Sequence, residues 1–138
     1  MVNATGLEPV CVALLVSDYV HMDPISARYA ILGPFQEIIA SEFPASYSAL
    51  GVYAALTDGR GTAAITVQMV DVDEEREPLW EYSTEVDLSD PQFVFELGLN
   101  IQDVEFVVPG IYRLQLVVDR ATIMERSIKV VLERSGQE

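Results

Sequence analysis

The chain carries one histidine, His21, with Asp18 and Asp23 flanking it. An imidazole close to carboxylates supplies the ingredients of a general acid–base pair or of a metal site, and so of a hydrolase. An extended backbone, however, puts Asp18 and His21 on opposite faces, and no second nitrogen or sulfur ligand lies near. The same residues serve equally well as the solvent-facing end of a strand. A second concentration of ligands is Asp71, Asp73, Glu74, Glu75 and Glu77. Calcium takes about six to eight hard oxygen donors, and Asp71, Asp73 and Glu75 are the candidate ligands here; Ca2+ is the one cofactor the composition suggests. The stretch lacks the loop glycine and the ligand order of an EF-hand, which favours a solvated connector. Arg60, within Asp58-Gly59-Arg60-Gly61, could present its guanidinium and exposed amides to an anion. No Gly-Lys-Ser/Thr follows and no helix begins there, so a hairpin turn accounts for the glycines. Ser17, Ser26, Ser41, Ser46 and Ser48 have no Gly-x-Ser-x-Gly frame, and a Ser-His-Asp arrangement would have to rest on His21. Trp80 and Tyr82 could line a sugar-binding face, but strand aromatics more often fill a core. The sequence nominates no catalytic residue, and the reading leans away from an enzyme.

Charge is the most unusual bulk property. Twenty-two acids against eight bases give a formal net charge of −14 and a pI near 4.2. Nucleic acid and anionic membrane surfaces are poor partners, because phosphates are bound through Lys and Arg and the chain has a single lysine, Lys129. The acids are unevenly placed. Asp71, Asp73, Glu74, Glu75, Glu77, Glu81, Glu85, Asp87 and Asp90 face Arg76 alone, whereas the last part of the chain, with Arg113, Arg120, Arg126, Lys129 and Arg134, is slightly positive. The longest apolar run, Val10 to Val16, is far shorter than the roughly 20 residues that span a bilayer. The first nine residues hold no positive charge and no cleavage pattern, so the default address is cytoplasmic. Cys11 lies in that apolar run and reads as a buried thiol.

What must position these residues is a set of strands. Apolar residues recur at period two between turn signals, and no window carries a sustained helical stripe. The first strand runs from Val10 to Val20, with both faces covered at its start, and Pro24 ends the segment that follows. Short strands follow at Arg28 to Leu32 and Phe35 to Ala40, separated by Gly33-Pro34. Leu50 to Leu56 and Thr62 to Val72 flank the glycine-rich turn, where the chain is expected to reverse as a hairpin. Leu79 to Leu88 places Trp80 inward. Phe93, Phe95, Leu97, Leu99 and Ile101 form the clearest inward stripe, and Val94, Glu96, Gly98 and Asn100 are left to solvent or an edge. Pro109-Gly110 turns the chain into Tyr112, Leu114, Leu116 and Val118, and Asp119-Arg120 is the tip of a last hairpin returning to Leu132. This predicts an all-β, two-layer antiparallel β-sandwich of about eight or nine strands. Its Pro-Gly turn and inward tyrosine suit an immunoglobulin-like Greek key. One domain is expected over residues 1–138, with a frayed tail at 135–138.

Val16-Ser-Asp-Tyr-Val20, Tyr29-Ala-Ile-Leu-Gly-Pro-Phe35, Phe43-Pro-Ala45, Leu56-Thr-Asp-Gly-Arg-Gly61 and Val108-Pro-Gly-Ile-Tyr-Arg-Leu114 together resemble an uncharacterised bacterial family catalogued as a domain of unknown function. The resemblance implies a sandwich fold and a bacterial cytoplasmic setting, and it supplies no activity.

Sparse chemistry and polarised charge favour a non-catalytic protein-interaction or structural module. Its partner would be another protein or a second copy of itself, met through an acidic surface of Asp73, Glu74, Glu75, Glu77, Glu81 and Glu85. The alternative is a metal- or small-ligand-binding protein built on Asp18, His21 and Asp23 or on the acidic loop.

Overall fold

Turn chemistry and period-two alternation cut the chain into nine strands: β1 (Val10–Met22), β2 (Tyr29–Pro34), β3 (Glu37–Ala40), β4 (Ala45–Thr57), β5 (Thr62–Asp71), β6 (Trp80–Asp87), β7 (Phe95–Phe106), β8 (Gly110–Val118) and β9 (Ala121–Leu132). The computed structural model describes residues 9–72 and 77–134; Asp73, Glu74, Glu75 and the tail 135–138 lie outside them. The strands form two sheets, one in the order β2-β1-β4-β7 and the other in the order β3-β9-β8-β5-β6. The fold is the expected all-β sandwich. Among the described residues no helix is long and apolar enough to cross a membrane.

The core lies between the layers. Leu14 and Val16 of β1, Leu50, Val52, Ala54 and Leu56 of β4, and Leu97 of β7 meet Ile65, Val67 and Met69 of β5, Leu114 and Leu116 of β8, and Ile128 and Val130 of β9. Each large aliphatic side chain so buried contributes roughly 1.5 to 3 kcal/mol. Tyr112 is buried against Phe106, with ring centroids 4.9 Å apart and edge-on, and its hydroxyl donates to the Val108 carbonyl at 2.6 Å. That bond closes the Pro109-Gly110 turn over the core and satisfies the one polar atom the ring brings inside.

Two expectations about the connections are corrected. β3 runs parallel to β9, with Glu37 opposite Lys129 and Ala40 opposite Leu132, so the sheets are not wholly antiparallel. The cause is a strand that changes layers: Phe35 and Gln36 carry the chain from β1 to β9 without a reversal. Phe35 N–H donates to the Val16 carbonyl at 3.0 Å, and Lys129 N–H to that of Gln36 at 2.9 Å. The glycine-rich segment after Thr57 is likewise no hairpin, because β4 and β5 belong to different sheets. Asp58 and Gly61 adopt positive φ (62° and 68°) to take the chain across. A Cβ on Gly59 would lie 2.6 Å from Leu88 side-chain atoms. The hairpin at Asp119-Arg120 is as expected, with both residues left-handed (φ 49° and 78°), as a two-residue turn of the I′ type requires.

The start of β1 is also more open than its apolar sequence suggests, since Val10 and Val12 are 51% and 57% exposed. Both faces are covered only further along, at Val16 and Ser17. From there β1 leaves β4, its last pair with that strand being Ser17–Gly51, and continues with β2 as an arm folded over the outer face of its own sheet. A Cβ on Gly51 would come within 3.0 Å of the Tyr19 backbone. Val20, only 4% exposed, packs where Gly98 leaves room. Its N–H donates to the Asn100 side-chain oxygen (3.0 Å) and its carbonyl accepts from the Asn100 amide (2.8 Å). The outward face of β7 thus receives the arm at Gly98 and Asn100, while Val94 and Glu96 are exposed at this edge of the sheet, as expected. Phe93, expected inward, precedes β7 and is exposed. Beyond Ile101 the inward phase of β7 shifts to Val104 and Phe106 at Asp103, whose φ is 57°.

Candidate functional site

Of the acids nominated as an interaction surface, Glu81 and Glu85 lie on β6, where Asp87 joins them. The alternation of this strand sends Trp80 and Val86 against the core, and the opposite phase, Glu81, Ser83, Glu85 and Asp87, is exposed. Among the described residues β6 pairs antiparallel with β5 alone, Gln68 facing Glu81, Ala64 facing Glu85 and Thr62 facing Asp87. Glu81 and Glu85, four residues apart on one face, are separated by about 13 Å along the strand. The Ser83 hydroxyl, lying between them, is hydrogen-bonded to that of Thr66 at 2.8 Å.

A transverse row fixes where charge is neutralised. Gln68 Nε2 donates to Gln115 Oε1 (2.7 Å), and Gln115 Nε2 to Glu125 Oε1 (3.1 Å). Glu125 Oε1 lies 3.8 Å from Arg113 Nη1. The β9 end of the row therefore carries an ion pair. At the β6 end, among the described residues, no cation stands within ion-pair distance of Glu81, Glu85 or Asp87. Arg120 and Glu81 line one shallow depression on this face, with Ala64, Thr66, Gln68, Val117 and Asp119. Asp87 accepts from the Ser89 hydroxyl and, at 2.9 Å, from the Ser89 N–H. These bonds, the hydroxyl first, lower its carboxyl pKa. Inward-phase Tyr82 is still 39% exposed, because β6 is the outermost strand of its sheet. The indole N–H of Trp80 is buried with no partner among the described residues.

Of the residues singled out from sequence, Glu77, Glu81 and Glu85 are exposed on or just before β6. Asp73, Glu74 and Glu75 lie outside the described residues, so of the proposed calcium ligands only Asp71, at the end of β5, is placed. Among the described residues no three His, Cys, Asp or Glu side chains gather so as to hold a metal. Asp18, His21 and Asp23 are put to separate uses. Asp18 accepts from the Tyr47 hydroxyl at 3.2 Å, and His21 stacks on Tyr19 with centroids 6.4 Å apart. Asp23 closes the tip of the arm, accepting from the Ser26 hydroxyl at 2.8 Å and from the amides of Ile25 and Ser26. Those bonds, led by the Ser26 hydroxyl, lower its carboxyl pKa. Arg60 is exposed on the crossover between the sheets.

Three features escaped the sequence reading. One is the Asn100 clamp, whose only signal was an asparagine amid a period-two stripe. Another is the Tyr53 hydroxyl donating to Glu96 on the outer face of β4 and β7; burial first, and then that carboxylate, push the phenol pKa well up. The third is a cavity of about 450 Å³ where β3 and β4 part, lined by Ile38, Glu42, Pro44, Tyr47 and Phe106 among others.

With this geometry in place, the kinship of the chain can be stated. One family's sequence pattern matches residues 12–131. The chain belongs to it: the family of unknown function DUF6941. No curated protein matches the chain. Among solved structures, it is similar to a beta-glucosidase from Listeria innocua at 13% identity and a TM-score of 0.48, over 90% of this chain and 16% of that one. It is also similar to the sensor domain of the anti-sigma factor RsgI4 in Pseudobacteroides cellulosolvens, at 9% identity and a TM-score of 0.41, over 91% and 97% of the two chains. The chain thus spans about a sixth of the glucosidase's length.

Proposed function

We propose that the chain is a non-catalytic protein-interaction module that presents the acidic face of β6 to a basic protein partner. The observation that carries this reading is the row Glu81, Ser83, Glu85 and Asp87 on an outermost strand, exposed and without a described cation in ion-pair range. Glu85 and Asp87, two residues apart on one face of β6 and so about 7 Å from each other along the strand, repel one another. A partner bearing Lys or Arg relieves that repulsion and gains directional steering, both of which weaken as salt screens the field. The acids that precede β6 in sequence, Asp73, Glu74, Glu75 and Glu77, add to the same charge. On this reading the protein works in the cytoplasm and catalyses nothing itself.

The test is capture of binding proteins from a lysate by the chain and by a variant with Glu77→Gln, Glu81→Gln and Glu85→Gln, at low and high salt. Surface carboxylates of this kind change stability by no more than about 0.5 kcal/mol, so matched melting curves establish that both baits are folded. A basic protein retained by the natural chain, released by salt and absent from the variant supports the proposal. Identical captures from both baits sink it.

A further inference from the structure

The two sides of the sandwich differ in how the chain crosses between the layers: Phe35 and Gln36 alone join β2 to β3, whereas residues 88–94 join β6 to β7. All four of these strands end their sheets, each pairing with a single neighbour among the described residues. An outermost strand presents unpaired N–H and C=O groups, which another extended segment can pair with. β6 offers eight residues of such edge. No described residue pairs with the free side: the flanking backbone bonds, Leu79 N–H to Met69 and Leu88 N–H to Gly61, tie the ends of β6 back towards β5. The lower row of β6 is incompletely covered too, with Tyr82 exposed and Thr84 and Val86 half-buried.

We propose that β6 is extended by a strand from a basic partner, one with Lys or Arg at alternate positions and apolar residues between them. Charge complementarity fixes the occupant. A strand added beside β6 places one of its two phases next to Glu81 and Glu85 and the other beside Tyr82, Thr84 and Val86. The upper phase must be cationic and the lower apolar. A second copy of β6 is excluded by the same argument, since it would set carboxylates against carboxylates. The inference rests on the acidic face proposed above and adds the geometry by which a partner is held.

The experiment uses the whole chain and an eight-residue peptide of alternating Lys and Val, followed by NMR of the chain's amides and by titration. Two forms of the peptide carry N-methyl groups, one on every Lys and the other on every Val. Alternate amides of a strand point to opposite sides, so only one of these sets can donate to β6. The expected result is binding that perturbs Glu81 to Asp87, falls at least about tenfold with one methylated set, and survives the other. Equal binding by both methylated forms would show contact through charge alone; that overturns strand addition and leaves the acidic-face reading standing. No binding by the parent peptide also overturns strand addition, and the lysate capture then decides the acidic face by itself. Undiminished, set-selective binding by the chain with Glu77→Gln, Glu81→Gln and Glu85→Gln would keep the edge and remove the charge argument for its occupant.

Discussion

The side of the sandwich bordered by β2 and β3 and the side bordered by β6 and β7 meet the same problem in different ways. Two stacked sheets leave four outer strands with unsatisfied backbone. On the first side the chain supplies its own cover: β2 and β3 are successive parts of one run, and Arg126 of β9 donates its Nε–H to the Leu14 carbonyl of β1 at 3.1 Å, bridging the layers. On the second side charge does the guarding. Glu81, Glu85 and Asp87 stand along β6 and discourage pairing with anything not basic. One border is closed across the layers by a two-residue link, and the other is left open and guarded by charge.

The contrast can be broken at several points. Gly51→Val should have the largest effect, because its new Cβ would lie 2.6 Å from Ser17 Oγ and 3.0 Å from the Tyr19 backbone, lifting the arm. A loss of about 3 kcal/mol in chemical denaturation is expected. Asn100→Ala strips the Val20 amide and carbonyl of their partners together and should cost about 2 kcal/mol by the same measurement. Arg126→Ala removes a single bridge between layers, for about 1 kcal/mol. Arg126→Lys should recover little of it, since Lys lacks the planar fork. An Arg126→Ala variant as stable as the natural chain would mean that the closed border does not depend on its bridge.

The smallest expected effect belongs to the open border and to pH. The Asp87 carboxyl is lowered by its bonds to Ser89, so whatever they contribute is present at neutral pH and lost as pH falls through the depressed folded value, below 3.8. Carboxyl-detected NMR should find Asp87 titrating at lower pH in the natural chain than in a Ser89→Ala variant.

How much of this could be read from the sequence depended on whether a signal was local. Pro109-Gly110 and Asp119-Arg120 each carry their own turn chemistry, and the alternating runs around them became strands; Gly33-Pro34, read as the separator of two strands, instead forms the end of β2, with Pro34 opposite Ser17. Trp80 packs against the core, as its phase required. The Thr57 to Gly61 segment misled because positive-φ residues serve a crossover as well as a hairpin. Which role applies is decided by the sheet that β5 joins, and that is settled by residues far away. β7 was read to Ile101 and runs to Phe106, because the change of phase at Asp103 hides its last residues from a period-two search. Glu81 and Glu85 were legible as acids, but their place on an outermost strand was not, since strand order follows from pairing across the whole chain. The Asn100 clamp and the Arg126 bridge were invisible for the same reason: their partners are Val20 and Leu14, far off in sequence.

The parallel pairing of residues 37–40 with residues 129–132 also sets a timetable for biosynthesis. As the chain leaves the ribosome, β3 emerges long before the neighbour it needs, since five other strands are made between them. Until β9 is made, the closed border stays unsealed and the five-stranded sheet lacks two of its members. Contacts between such distant segments make folding slow, because a long loop must be closed before any of them is rewarded. Until β9 follows, the nascent segment is open to wrong strand pairing, and the like charge of every copy, −14 over the sequence, acts against association between them.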